Sequence, residues 1–527
     1  MLAPRLGSAR RVVLGIGCLL ALTVASNRAA ATPYDNIAVG DPIEDELRIL
    51  DLFDSGSLDN RIRLPHLDTR PLQSIELQGI GRWPANPDRV REISLARLER
   101  VLGRDRSPLF GPHERYGSTP RLFESSIEKT RFEVSVGIEG RAQSQDRVSR
   151  LDSGSGFEGR LALGLDRLLA FSHYIVGRFD NARNFADPIV PDNDVIVLTE
   201  ETFISYTEEQ GQWGIQFGRN RWHWGPGQEG SLVLSRTSPP LTGIAFRAHH
   251  QALHADGIAL NATLEQAAGE QLAAHRIEWQ FSDGVRAGVT EAARYKASGW
   301  QPLYLVGFIP YVLVQRIEAQ SEPDSFTALR NNVVMSFDLA WRVANGTRIY
   351  GELLLDDIHA RSGKNPNKFG YQFGWEGAGL MSGQRVTWGG EWTRISRYVY
   401  TSFFGRQYVV QGRPIGFPTG PDARRIRLRG GWDPGVDWTL FTTATHYDQG
   451  ENNLREPFVP GSGRVQSSHF EGVVETTRDF EVGLRYWPAS GVYVSVSGGY
   501  RWIRDAGHQV GNNTSTPLGT LELRVNR

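Results

Sequence analysis

Cysteine is almost missing from this chain. Among 527 residues there is one, Cys18, and it sits in a leader-like segment expected to be removed. A mature chain without thiols has no disulfide, no thiolate metal site and no cysteine nucleophile, which excludes zinc ribbons and cysteine hydrolases. An excess of one charge is missing too: 58 Lys+Arg face 59 Asp+Glu, so the whole-chain charge offers nothing to nucleic acid. After the leader, no apolar run approaches the ~18 residues of a spanning helix. No H-E-x-x-H occurs, and no G-x-S-x-G elbow lies near the histidines of His249-His250-Gln251-Ala252-Leu253-His254-Ala255-Asp256. Asp192-Asn193-Asp194 lacks the rest of a calcium loop and reads as a turn. With no nucleophile–base–orienter set, a hydrolase reading has no support.

What is present at the start is an export signal. Arg5, Arg10 and Arg11 form a basic region, Val12 to Ala25 an apolar stretch too short to span, and Ala29-Ala30-Ala31 a small-residue cleavage site. Gly15 stands where a lipoprotein signal needs an aliphatic residue before Cys18. Residues 1–31 are therefore expected to be a cleaved leader.

From about residue 128 onward the dominant pattern is alternation. Phe132, Val134, Val136 and Ile138 share one parity, and Glu133, Ser135, Glu139 and Arg141 the other. Val492, Val494 and Val496 alternate with Tyr493, Ser495 and Ser497, and Leu521, Leu523 and Val525 with Thr520, Glu522 and Arg524. One face apolar and one polar suits a wall with lipid outside and water inside. In lipid only helices and closed sheets satisfy their backbone groups, so the expected fold is all-β, a transmembrane antiparallel barrel. A soluble-looking mean hydropathy fits, because half of each strand faces water. With strands of ~9–11 residues and connections of at least similar average length, residues 126–527 are expected to form roughly 16–18 strands. Asp433-Pro434-Gly435-Val436 and Pro488-Ala489-Ser490-Gly491, both flanked by Trp or Tyr, read as short periplasmic turns. The Gly/Pro/Asn/Asp-rich stretches 185–194, 359–368, 411–423, 448–465 and 504–517 read as outer loops.

Residues 32–125 differ and read as a small helical subdomain at the periplasmic end. Asp41-Pro42-Ile43-Glu44 starts one helix, with Ile43, Leu47 and Leu50 at helical spacing and Gly56 as stop; Asn86-Pro87 starts a second that ends by Gly103. Leu72 to Ile80 could be helix or strand.

Four groups are candidate sites. In Gly218-Arg219-Asn220-Arg221-Trp222-His223-Trp224-Gly225-Pro226-Gly227, Arg219, Arg221, Trp222 and Trp224 offer guanidinium forks and aromatic faces suited to a glycan or anion; the alternative is an aromatic girdle with a bend into a structured loop. Arg348, Tyr350, Glu352 and Asp356 share the lumenal parity, with Leu354 an exception. Glu352 and Asp356 lie ~13 Å apart along a strand, too far for a glycosidase pair, and otherwise read as part of an ion-pair lattice. Arg425, Arg427 and Arg429 form a basic lumenal ladder, either a filter for acidic polymers or solutes or partners of carboxylates across the barrel. The histidine cluster could hold a metal but lacks a completing motif.

Four segments together resemble a known family: Thr69-Arg70-Pro71-Leu72, the Gly218 to Gly227 run, Ser231-Leu232-Val233-Leu234-Ser235 followed by Pro239-Pro240, and Tyr350-Gly351-Glu352-Leu353-Leu354-Leu355-Asp356-Asp357. In order and spacing they resemble the capsule assembly proteins of the Wzi family. That resemblance implies an outer-membrane barrel of about 18 strands with an N-terminal periplasmic helical bundle. It implies a lectin-like surface protein that binds and anchors capsular polysaccharide, with no catalysis and no cofactor; separately, the chain is expected to be a monomer.

 The expected partners are capsular or other surface polysaccharide, outer-membrane lipid and the barrel assembly machinery, with a channel for small or acidic solutes as the competing reading. One departure is the C-terminus: barrel chains often end in an aromatic residue that the assembly machinery reads, whereas this one ends Val525-Asn526-Arg527.

Overall fold

The structure is a computed structural model that describes residues 36–37, 43–53, 68–73, 88–102, 123–127, 130–143, 154–179, 195–307, 309–321, 331–357, 366–459, 468–489 and 492–526. The expected leader and Asp192 to Asp194 lie outside the described residues, as do the side chains of 123–143.

Eighteen antiparallel strands close into a barrel. In chain order they are β1 Thr130–Gln143, β2 Gly154–Leu165, β3 Leu168–Phe179, β4 Ile196–Thr207, β5 Trp213–Asn220, β6 Leu241–His250, β7 Ala255–Glu265, β8 Glu270–Ser282 and β9 Val285–Lys296. The second half is β10 Asn332–Ala344, β11 Thr347–Asp357, β12 Lys368–Met381, β13 Gln384–Ile395, β14 Ala423–Asp433, β15 Trp438–Gln449, β16 Glu475–Ala489, β17 Val492–Arg504 and β18 Thr514–Asn526. Closure comes from β18 against β1, from Thr520 opposite Gln143 to Asn526 opposite Gly137. The rest of that edge, Thr130 to Val134, is covered by the short strand Phe123–Ile127. Closure leaves the wall without a free edge, which a sheet in lipid requires.

The alternation read from the sequence sorts the two faces. On β10, Val334, Ser336, Asp338 and Ala340 are buried inward, while Phe337, Leu339 and Trp341 are exposed outward. Ser495 is buried and Val496 exposed on β17. Phe157, Leu161, Ile204, Phe217, Phe246, Phe373, Leu428, Phe480 and Leu521 extend an exposed apolar surface around the outside. An apolar surface of that extent is what a membrane covers. No helix among the described residues is long and apolar enough to cross a membrane.

Connections alternate in length. At one end they have two to five residues, including those after β14 and β16; at the other they run from four residues, 266–269, to 35, 297–331. The stretches 411–423 and 448–465 fall at the long-loop end, but Thr514 to Pro517 of the expected loop 504–517 belong to β18. Both expected head helices are present: α1 Ile43–Asp51 and α2 Arg89–Leu102. The second starts at Asp88, two residues later than Asn86, because Asp88 Oδ1 accepts the Arg91 N–H at 3.0 Å and caps the helix. Of the ambiguous segment, Leu72–Gln73 is strand, paired with Asn36–Ile37. Additional to the expected elements are α3 Pro302–Leu305 and α4 Tyr311–Ser321, in the connection after β9.

Candidate functional site

The lumen is filled from both ends. From the long-loop end, residues 221–240 fold inward. Trp224 donates its backbone N–H to Leu234 at 2.9 Å. Trp222, Trp224, Leu232, Val233 and Leu234 pack with Leu354, Ile395, Tyr400 and Phe417 in one buried apolar cluster. Leu354, the apolar exception on the lumenal parity, faces inward with the rest of that parity, where the inserted segment makes the lumen oily. Gly225, at φ +138°, cannot be replaced freely, since a Cβ there would lie 2.7 Å from Ser231 Oγ.

The wall residues singled out in the sequence hold this insert. Glu352 accepts the Leu232 N–H at 3.1 Å and the Ser231 hydroxyl at 3.2 Å. Asp356 accepts the Tyr400 N–H at 2.6 Å, and the Tyr400 hydroxyl donates to Leu232 O at 2.6 Å. Tyr350 donates to Glu391 at 2.8 Å. Rather than pairing with arginines of neighbouring strands, Glu352 and Asp356 satisfy backbone donors of inserted segments, because a loop buried in the lumen brings amides that need acceptors; Asp356 also lies 3.9 Å from Lys368 on the neighbouring strand. Arg348 does join an ion pair, 2.8 Å from Glu376.

The Gly218 to Gly227 set is not brought together at a surface. Arg219 lies on the outward parity with Ile215 and Phe217. Arg221 donates to the carbonyls of Arg236 and Ser238 at 3.2 and 2.8 Å. Trp222 and Trp224 are buried edge-on to one another, 6.1 Å apart. In this arrangement the two tryptophans are lumenal core, not girdle and not an exposed sugar platform. His223 is also buried: its Nδ1 accepts the Arg236 N–H at 3.1 Å, which leaves Nε2 to donate to Gly225 O at 3.2 Å. Burial, with Arg70, Arg236 and Arg48 nearby, holds this imidazole well below its ordinary pKa and therefore neutral.

From the short-turn end the head enters. Thr69–Arg70 pairs with His223–Trp224 as a two-stranded ribbon, so head and insert meet inside the barrel. Below it, Arg276 of β8 donates to Thr69 at 2.7 Å, Asp338 at 2.5 Å and Glu278 at 2.9 Å. Nearer the turns, Glu46 of α1 and Asp433 share Arg97 and Arg385: Arg97 lies 2.7 Å from Glu46 and 2.9 Å from Asp433, and Arg385 lies 2.8 and 2.6 Å from them. Arg48 reaches Glu376 at 3.1 Å.

Beside this plug a cavity of about 570 Å³ remains against β13 to β16. Nine arginines and five carboxylates line it, among them Arg425, Arg427 and Arg429. Glu229 from the insert pairs with both Arg425, at 3.2 Å, and Arg427. Burial alone would raise the Glu229 carboxyl, but these arginines bring it to about 2. Arg429 shares Glu376, at 3.4 Å, with Arg48 and Arg348. The ladder thus pairs with carboxylates, yet each carboxylate serves several arginines, and the cavity stays cationic.

The long-loop end carries an aromatic and arginine surface. Phe403 and Phe404 are exposed edge-to-face, 5.4 Å apart. Half-buried Arg394 lies 4.0 Å from the half-buried Phe470 ring, and Tyr398 packs on Phe458 at 5.6 Å with both rings buried. Apolar ring faces beside guanidinium donors can stack on sugar C–H faces and bind hydroxyls or carboxylates. The aromatic run Tyr398 to Phe404 was the available sequence signal for it.

No family model and no curated relative matches the chain. Among solved structures, Wzi of Escherichia coli, described as an outer membrane protein involved in group 1 capsule assembly and a carbohydrate binding β-barrel, aligns with 94% of this chain and 99% of its own. The TM-score is 0.63 at 14% identity. The fold is that of the Wzi barrel. OccAB1 of Acinetobacter baumannii (TM-score 0.44, 9% identity, 78% and 99% covered) and OprD of Pseudomonas aeruginosa (0.42, 9%, 78% and 97%) are too distant in shape to bear on the site. The segments on which the Wzi resemblance rested, 69–72, 218–240 and 350–357, are far apart in the chain and converge in the lumen. The histidine cluster does not join them: His249 pairs with Asp256 at 2.9 Å at a short-turn hairpin.

Proposed function

We propose that this protein sits in the outer membrane, with its short turns and head toward the periplasm, and retains polysaccharide at the cell surface without cleaving it. The observation that carries this reading is the double plug: head and insert meet through the Thr69–Arg70 and His223–Trp224 ribbon. A barrel filled in this way is built to hold its loops still, which a binding surface needs and a wide pore does not. The exposed Phe403 and Phe404, with the partly exposed Arg394 and Phe470, supply the contacts, and the likeness to the Wzi barrel supports the same reading. Deletion should release polymer into the medium with total synthesis unchanged, and Phe403→Ala with Phe404→Ala should weaken binding of the purified barrel to that polymer. Unchanged retention in the deletion strain would overturn it.

The arginine-lined cavity favours a second reading, a narrow path for small anions. Planar-bilayer recordings separate the two: steady anion-selective conductance supports the path, and a silent barrel that binds polymer supports the anchor.

A further inference from the structure

The described part of the connection after β9, residues 297–307 and 309–321, does not stay above the wall. It folds down the outside. On β8, Arg276 and Glu278 face the lumen, so Ala273 and His275 face out; on β9, Arg286 and Thr290 face the lumen, so Glu291, Ala293 and Tyr295 face out. These outward residues are where α3 and α4 pack: Tyr304, Tyr311 and Val314 form a buried cluster with Ala273, Ala293 and Tyr295. The Tyr295 and Tyr304 rings stack at 4.2 Å. Glu291 accepts the backbone N–H of Tyr311 at 2.8 Å and of Val312 at 3.2 Å, capping α4, and lies 3.3 Å from His275. Asn261, outward on β7, donates to Tyr304 O at 3.3 Å. The small residues make the approach possible: at Gly307 a Cβ would come within 2.9 Å of the Ala259 Cβ.

His275 and Glu291 lie five residues below the long-loop ends of their strands, about 17 Å along the wall. Two and four residues further toward the short turns, opposite Val289 and Ala287, the neighbouring strand β10 presents bare Phe337 and Leu339. Without the helices, a histidine and a carboxylate would face hydrocarbon, which strongly disfavours both groups. Meanwhile the far side of the helices exposes Leu305, Val306, Val312, Leu313 and Ile317. That apolar face is continuous with the outer wall, whose Phe217 meets Trp300 of the same segment at 6.4 Å.

We propose that α3 and α4 are embedded in the outer half of the bilayer, with acyl chains as the partner of their exposed face, and that they form a second layer sealing the Glu291–His275 pair from lipid. This rests on the membrane reading above, and the test separates the two. Nitroxides are placed at Leu313→Cys and Ile317→Cys in a Cys18→Ser background, with Leu339→Cys on the bare wall and Gln411→Cys in a long loop as references. In vesicles of phosphatidylcholine and phosphatidylglycerol, power saturation compares collisions with oxygen and with a water-soluble nickel chelate. The expected result is an oxygen-to-nickel ratio at 313 and 317 matching 339 and opposite to 411. If 313 and 317 behave like 411 while 339 stays lipid-facing, the embedded helix is wrong and the barrel stands. If 339 also behaves like 411, the membrane reading fails. Spin–spin broadening at 313 that persists at a low protein-to-lipid ratio would make a second copy the partner and overturn the proposal. Glu291→Gln should raise nitroxide mobility at 313 by loosening the capped end, and an immobile label there would refute the cap.

Discussion

Glu46→Ala is the sharpest perturbation of the plug. Glu46 is buried, takes a 2.7 Å contact from Arg97 and two from Arg385 at 2.8 and 3.1 Å, and leaves Asp433 as the remaining carboxylate when removed. Breaking a buried charged network by deleting one partner costs about 3–5 kcal/mol, mostly from stranded charge. At about 1.4 kcal/mol per tenfold, docking of α1 should weaken by roughly two to three and a half orders of magnitude. The strand ladders do not depend on Glu46, so the loss should be local. Hydrogen exchange should show α1 amides losing protection by that factor while the strands keep theirs, and the unheated protein should still run faster than the boiled one. Unchanged α1 protection would refute the assigned role of the cluster. Loss of the gel shift would show that the barrel needs the head to fold. Acid should mimic the variant. Burial would raise the Glu46 carboxyl, but Arg385 and Arg97 override it and hold it well below its ordinary 4.5. A depressed folded pKa contributes stability that is present above 4.5 and lost as pH falls below it.

Three further outcomes follow from the same geometry. Val496→Arg, on the exposed face, should cost roughly 2–4 kcal/mol at mid-wall and block assembly, whereas Ser495→Arg is milder; equal yields of heat-modifiable barrel would contradict the assigned faces. Trp224→Ala should cost about 3–5 kcal/mol by emptying a fully buried site, read as a lower midpoint in denaturant and as added conductance in bilayers. Buried neutral His223 has a folded pKa below its ordinary 6.5, so its contribution is complete above 6.5 and declines as pH falls below it; His223→Gln should remove that slope, and an unchanged pH profile would refute it.

The sequence by itself determined the wall. Period-two alternation over some 400 residues leaves a closed sheet as the structure that puts one parity in lipid and the other in water, and turn chemistry set the alternation of short and long connections. Capping and spacing located both head helices, though Asp88 displaced Asn86 because only the folded backbone shows which carboxylate reaches the first free amide. What the tertiary structure decided was how the interior is filled. Trp222, Trp224 and Leu354 carry the same residue-level signal whether they meet lipid, sugar or each other. Their burial depends on a loop 120 residues before Glu352 folding inward to meet its carboxylate. Outward His275 and Glu291 look like errors in the alternation until a later helix covers them. Local pattern reports which way a side chain points from its own strand, and it holds no information about which distant segment will arrive to meet it.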